Sequence, residues 1–309
     1  MNRITNRIGL CLTAGMMISI LTGCSTPPPQ FTDSEWISHS ATGRGSYERG
    51  DMRRAAAAYA KAANRARALD DADALAVTAV NRAVCLLAED QAAEAQRGVA
   101  EALADPRVSP ARRWELGILS SRIELALDQP EQARQSAQDV LQMELKPSVR
   151  AQALLAKSAA ELALGETAQA AETLAKGLSP KAWKKLPAVF QADRAVLQAD
   201  LAVANELSKE AASYQADAAD LYRQADRLSE MAAALSAAGR LNRASGNLPA
   251  ACDQLYRAAR SLWAQGAEEA AAGVLVEGIA CAEELQDEAV GQRMAELGVT
   301  FKRGIRPVE

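Results

Sequence analysis

Histidine is almost absent from this chain of 309 residues, which contains only His39. A single histidine excludes His-based catalytic dyads and multi-histidine metal sites within one chain. Basic and acidic residues nearly balance, at 35 against 39, so the chain lacks the strongly basic face typical of nucleic-acid binding. We therefore predict no enzymatic activity, no catalytic or metal-binding residue and no nucleic-acid partner.

Aromatic residues are also scarce, at 4%, and no alternating apolar pattern is long enough for a strand. Alanine is abundant, and it has the highest intrinsic helix propensity. Apolar residues recur at helical spacing, as at Val80, Val84 and Leu87. The sequence therefore predicts an all-α fold.

The N-terminus has the pattern of an export signal. Arg3 and Arg7 precede the apolar segment IGLCLTAGMMISI, which is too short to span a membrane at about 20 residues per helix. A cytosolic chain with an apolar start is the alternative interpretation. We expect this segment to direct export and to take no part in the fold.

The segment LTGC, from Leu21 to Cys24, resembles the lipobox of bacterial lipoproteins. The resemblance implies cleavage after residue 23, which removes residues 1–23 as a signal peptide. It also implies a covalent lipid on Cys24, and we predict no other cofactor. Several acyl chains give stable anchoring, because each buried CH₂ contributes about 0.8 kcal/mol. Ser25 implies sorting to the outer membrane, facing the periplasm, with the inner membrane as the alternative destination.

Residues 24–33 follow as a lipid-anchored tether that contains three consecutive prolines. Such runs favour an extended polyproline II conformation. The tether is therefore interpreted as a semi-rigid spacer, with a disordered linker as the alternative. A helical-repeat domain over residues 34–303 and a tail over residues 304–309 complete the predicted organisation.

The chain contains an internal repeat. Residues 41–63 match residues 237–259 at an offset of 196, which aligns Gly43 with Gly239 and Gly50 with Gly246. Between them, equivalent alanines recur in steps of 40, 38 and 37 residues, at positions 55, 95, 133 and 170. The pattern predicts about seven antiparallel helix hairpins, of which the fifth, around residues 187–226, is located only loosely.

The first and sixth units resemble the tetratricopeptide repeat. The first carries the family's pattern at Gly43, Gly50, Ala55, Tyr59 and Ala62, whereas the middle units lack the first glycine and are longer. The resemblance implies a right-handed α-solenoid. One hairpin cannot bury its own apolar face, so neighbouring hairpins must stack.

The same resemblance implies a partner-binding groove lined by the first helix of each hairpin. The positions carried over from the family are Arg44, Tyr47, Arg122, Arg240 and Arg243. Arginines there could bind carboxylates of a partner segment through paired hydrogen bonds. The same register in units two and four gives Val84, Leu87, Ala159 and Leu162, which are expected in the core. Ordinary solvated arginines are the alternative interpretation.

Three cysteines remain once Cys24 carries lipid. Cys85 and Cys281 occupy equivalent positions five repeats apart and are most simply small buried apolar residues. Cys252 and Cys281 lie on adjacent predicted hairpins, so this pair could form a disulfide.

Three further segments are interpreted structurally. We expect His39 to be a partly exposed helical residue, and the acids of residues 70–76 to start a helix. In KAWKK, residues 181–185, we expect Trp183 to cover the core at a break in the array while the lysines stay solvated. A docking loop or a contact with acidic surface lipid is the alternative for that segment.

These observations predict a lipid-anchored periplasmic scaffold or adaptor that binds proteins or peptide segments of a cell-envelope assembly. The alternative is a ligand- or substrate-binding accessory module of an envelope transport system. That alternative would require a closed pocket within the array.

Overall fold

The structure, a computed structural model, describes residues 31–303, and this range contains fifteen helices and no strand. The helices are α1 Ser34–Glu48, α2 Met52–Ala68, α3 Ala72–Ala88, α4 Ala92–Ala104, α5 Pro110–Ala126, α6 Pro130–Leu141, α7 Pro147–Ala163, α8 Thr167–Lys176, α9 Pro180–Trp183, α10 Ala188–Ala204, α11 Ser208–Gln224, α12 Leu228–Ala244, α13 Leu248–Ala264, α14 Glu268–Leu285 and α15 Glu288–Lys302. The predicted all-α fold is confirmed.

Fourteen of these helices pair as seven hairpins, and the four-residue α9 stands between the fourth and fifth. We call the first helix of each hairpin helix A and the second helix B. The A helices are α1, α3, α5, α7, α10, α12 and α14. The predicted number of hairpins is therefore correct for the described residues.

A left-handed residue ends helix A in every hairpin. Gly50, with a φ of 78°, donates its N–H to the Tyr47 carbonyl at 2.9 Å, and Asp51 donates to Ser46 at 3.0 Å. This pair of bonds is a Schellman motif, which satisfies the last carbonyls of a helix. Equivalent left-handed residues occur in the other hairpins at Asp90, Asp128, Gly165, Glu206, Gly246 and Gln286.

The left-handed turns show that the repeat is regular. From Gly50 onward they are separated by 40, 38, 37, 41, 40 and 40 residues. The fifth hairpin, α10 and α11, is therefore as regular as its neighbours. It was hard to locate in the sequence because Glu206 stands where other units have Gly or Asp, the residues that indicate such a turn.

Small residues allow the two helices of a hairpin to approach closely. The alanine five positions after each turn is almost fully buried, at 0 or 1% exposure, in hairpins one to six. Gly43 of α1 faces the ring of Tyr59 so closely that an added Cβ would lie 2.8 Å from it. Gly239 of α12 faces Leu255 in the same way, at 2.7 Å. The equivalence of these two glycines, inferred from the 196-residue offset, is confirmed.

The chain divides into two compact units. Unit 1 contains α1–α8 and ends at Gly177, and unit 2 begins at Leu178 and contains α9–α15. In unit 1, one apolar cluster runs from Ala55 to Ile123 through α2, α3, α4 and α5. In unit 2, Leu197, Leu255 and Met294 are fully buried.

The segment KAWKK lies at the start of unit 2. Trp183 is buried, and the Arg194 guanidinium lies 5.0 Å from the centre of its ring. Lys181, Lys184 and Lys185 are exposed. The structure thus agrees with the prediction of a buried tryptophan among solvated lysines.

Across residues 31–303, no helix combines the length and apolar character needed to cross a membrane.

Candidate binding face

The predicted lipid site, Cys24, lies outside the described residues, as do the predicted signal peptide, most of the tether and the C-terminal tail. The last tether residues are described. Phe31 packs against Trp36 of α1 with ring centres 4.4 Å apart. Asp33 caps α1 by accepting from the Trp36 N–H at 2.8 Å.

An ion pair also holds Asp33, at the start of α1, to the second helix of the first hairpin. Arg65 of α2 donates to both carboxylate oxygens of Asp33, at 3.0 and 2.6 Å. The Arg65 guanidinium, together with the Trp36 N–H, holds the pKa of Asp33 down at about 2. Position 33 is therefore firmly attached to the repeat domain.

The turn register places the predicted groove residues at equivalent sites. Arg44, Arg122 and Arg240 each lie six residues before the left-handed residue that ends their A helix. Tyr47 and Arg243 each lie three residues before it. We call the surface formed by these two positions on the A helices of a unit its candidate face.

In unit 1 the candidate face includes Arg44, Tyr47 and Arg122. Arg44 is exposed on α1, and Arg122 is half-buried on α5. Tyr47 is half-buried and packs against the apolar cluster of unit 1. The face therefore combines an accessible cation with an aromatic ring fixed by the core.

In unit 2 the two arginines are already bound to carboxylates. Arg240 donates to both oxygens of Glu277 on α14, at 2.7 and 2.8 Å. Arg243 makes a similar paired contact with Glu284, and its guanidinium lowers the pKa of Glu284. These bonds join α12 to the next A helix, so an external carboxylate would have to displace Glu277 or Glu284.

The register also contains the residues that were expected in the core. Val84, Leu87 and Ala159 are buried, as predicted. Leu162 is half-buried. The candidate face of unit 1 is thus interrupted at hairpins two and four, where these positions pack into the core.

Asp200 was not predicted as a site residue, although it occupies the same position in the fifth hairpin, six residues before Glu206. Asp200 is half-buried on α10, and desolvation raises the pKa of its carboxyl to about 6. The signal that could have found it was the repeat spacing, which reaches Glu206 despite the unusual turn residue.

Unit 2 also contains an open cleft of about 460 Å³ that was not predicted from the sequence. It lies between α11 and the turn from α12 to α13, and it is lined by Lys209, Ala212, Ser213, Ala216, Asn242, Ser245, Gly246, Asn247 and Gln254. Asn247 donates to the Asn242 side chain at 3.1 Å, and Asn242 donates to that of Gln254 at 2.8 Å. The cleft is open, since Lys209, Ser213 and Asn247 are exposed.

The other residues considered in the sequence cap a helix or are at least half-buried. His39 is half-buried on α1. Asp71 caps α3 by accepting from the Ala74 N–H at 2.9 Å, as expected for an acidic helix start. Cys85, Cys252 and Cys281 are buried thiols. Within residues 31–303, no three His, Cys, Asp or Glu side chains cluster closely enough to hold a metal ion.

The described residues define an all-α helical-repeat protein. A crystal structure of the apo form of RapI aligns with a TM-score of 0.57, covering 88% of this chain and 98% of that chain at 12% sequence identity. At this identity the likeness is one of fold. No protein-family model matches the sequence, and neither does any curated protein.

Proposed function

We propose that this chain is a lipid-anchored periplasmic scaffold that binds partner proteins of a cell-envelope assembly and performs no catalysis itself. The helical-repeat fold carries this proposal, because stacked hairpins present extended surfaces of regularly spaced side chains. The lipobox-like segment ending at Cys24 supports the location. An anchor is useful to a binding protein, since it confines the surface to the membrane at which partners assemble.

The candidate face of unit 1 is the proposed contact surface, and an acidic peptide segment of the partner is the proposed ligand. Arg44 is exposed there, and a guanidinium binds a carboxylate through two parallel hydrogen bonds. Tyr47 lies one helical turn away and offers a ring that is already ordered by packing. The arginines of unit 2 are assigned a structural role, because they bind Glu277 and Glu284.

Charge reversal tests this surface. We expect Arg44→Glu to reduce the amount of partner recovered after crosslinking in intact cells by tenfold or more, because a carboxylate would then repel the ligand. Arg122→Gln should reduce it less. The matched control is Arg97→Glu, an equal charge change at an exposed position of α4. Equal recovery from all four proteins, with unchanged helical circular dichroism, would exclude this face.

The anchor is tested separately. In the proposed account, Cys24→Ser abolishes incorporation of a labelled fatty acid and releases the exported chain into the soluble periplasmic fraction. Density-gradient separation of the wild-type protein should place it with outer membranes. Labelling that persists in Cys24→Ser would refute the assignment of this residue.

A ligand-binding accessory module for envelope transport is the second candidate function, and it would need a closed pocket, whereas the cleft of unit 2 is open. Its amide and hydroxyl groups suit a small polar ligand. Native mass spectrometry of the purified chain distinguishes the two candidates. A stoichiometric small molecule, lost in Asn247→Leu, would favour the accessory module over the scaffold.

A further inference from the structure

Two buried thiols meet between the sixth and seventh hairpins. Cys252 lies on α13 and Cys281 on α14, and they are 2% and 0% exposed. The Cys252 thiol donates to the Cys281 sulfur across 3.0 Å, and the two positions are 29 residues apart. The Cys281 thiol also lies 3.6 Å from the Leu248 carbonyl. The two sulfurs therefore already occupy adjacent positions on separate hairpins.

We propose that Cys252 and Cys281 form a reversible disulfide that joins the seventh hairpin covalently to the sixth. This inference concerns a modification site and does not depend on the proposed scaffold function. The sequence left open whether Cys252 and Cys281 form a disulfide, and the 3.0 Å distance between their sulfurs favours one. Cys85, the third described thiol, lies on α3 in unit 1 and is not part of the pair.

The oxidant is a disulfide, supplied by a dithiol oxidoreductase or a small disulfide such as oxidised glutathione. One cysteine thiolate attacks a sulfur of that disulfide and forms a mixed disulfide, and the first partner sulfur leaves as a thiol. The second cysteine then attacks the mixed disulfide and releases the second partner sulfur. Two electrons and two protons pass to the partner, and one S–S bond forms between α13 and α14.

Burial controls the rate of this exchange. Desolvation, with the contact to Cys281 as a smaller cause, raises the pKa of the Cys252 thiol, so the closed structure holds little reactive thiolate. Exchange therefore requires the seventh hairpin to open locally. Its contacts with α13 include the stacked rings of Trp263 and Phe301, 4.4 Å apart, and Arg293, which lies 3.9 Å from the centre of the Tyr256 ring.

The bond would stabilise the contact between the sixth and seventh hairpins. In repeat arrays each unit contacts only its neighbours, so opening energies differ along the chain. A cross-link between α13 and α14 restricts the opened ensemble, and disulfides of this loop size raise stability markedly. Oxidation should therefore slow amide exchange in α14 and α15 and leave that in α3 and α4 unchanged.

Peptide mapping of the wild-type full chain provides the test. The purified protein is equilibrated in oxidised and reduced glutathione with mild denaturant, quenched with N-ethylmaleimide and cleaved with trypsin. We expect a linked species of peptides 244–257 and 261–293 in the oxidised sample and two alkylated peptides in the reduced one. Separate alkylation of both cysteines under oxidising conditions, or linkage of either one to Cys85, would overturn the proposal.

Stability gives a second readout with a matched control. Oxidation should raise the midpoint of thermal unfolding of unit 2 by about 5–10 °C, and amide exchange in α14 should slow at least tenfold. Cys252→Ser and Cys281→Ser should each abolish both effects, whereas Cys85→Ser should retain them. An equal rise of the unfolding midpoint on oxidation in Cys252→Ser and in the wild type would also refute a disulfide between Cys252 and Cys281.

Discussion

At the scale of single residues, one hydrogen bond between buried side chains joins two helices of unit 2. The Tyr222 hydroxyl of α11 donates to a carboxylate oxygen of Asp193 on α10 at 2.7 Å, and both side chains are 4% exposed. Burial and the nearby Asp193 charge raise the pKa of Tyr222, so the hydroxyl remains a donor at neutral pH. This hydrogen bond therefore joins the two helices of the fifth hairpin in addition to their apolar contacts.

Removal of the hydroxyl should destabilise unit 2. Tyr222→Phe leaves the buried Asp193 carboxylate without this donor, which should cost about 1–3 kcal/mol of unfolding free energy. Urea denaturation followed by circular dichroism measures the change. Tyr214→Phe, at a half-buried tyrosine on the same helix, is the control and should change stability by less than about 0.5 kcal/mol. Equal effects of the two substitutions would contradict the role assigned to the Asp193 bond.

Asp200 gives a prediction about pH. Its folded pKa of about 6 lies above the usual 3.8, so folding favours the neutral acid. As pH rises from about 4 to about 6, the unfolded chain loses this proton before the folded one, and stability falls. Asp200→Asn should therefore raise the melting temperature above pH 6 and have a smaller effect near pH 4. A gain that is the same at both pH values would contradict the assignment.

At the scale of elements, each hairpin depends on close contact between its two helices and on the left-handed turn between them. Gly239 of α12 and Leu255 of α13 show this dependence, since a methyl group on Gly239 would overlap the leucine side chain. In α14, by contrast, Gly273 has open space around its Cα. The two glycines therefore have different structural roles, although both are in helices.

Substitution by alanine should have opposite effects on stability at Gly239 and at Gly273. Gly239→Ala should destabilise unit 2 by about 1–3 kcal/mol, because the added methyl group separates α12 from α13. Gly273→Ala should stabilise it by up to about 1 kcal/mol through helix propensity alone. Thermal unfolding of both variants provides the comparison. A stabilising Gly239→Ala would show that the hairpin tolerates a wider separation than the structure has.

Much of the element architecture was predictable because it depends on local chemistry. Residues such as Gly50, Gly246 and Ala251 identify turns and close crossings by their size and backbone freedom, and the structure places them there. The pairing of Arg240 with Glu277 was not predictable, because the two lie 37 positions apart and the geometry of stacked hairpins brings them together. The cleft of unit 2 was not predictable from the sequence for the same reason, since α11, α12 and α13 all contribute to it.

At the scale of the whole molecule, the described chain consists of one kind of element repeated seven times in two compact units. Such an array offers surfaces whose side chains recur at fixed intervals, a geometry suited to extended partners. The basic positions of the two units have different proposed roles. Those in unit 2 join neighbouring hairpins, and Arg44 in unit 1 is proposed to meet a partner.

The most direct test of the scaffold account is site-specific photocrosslinking in living cells. A photoreactive amino acid replaces Glu48, which is exposed on α1 one helical turn after Arg44, or, as the control, Arg97 on helix B of the second hairpin. We predict a discrete crosslinked protein from position 48 that is weak or absent from position 97, and that depends on both Arg44 and Cys24. Identical products from both positions, or none from position 48, would contradict the claim that this face binds a partner at the membrane.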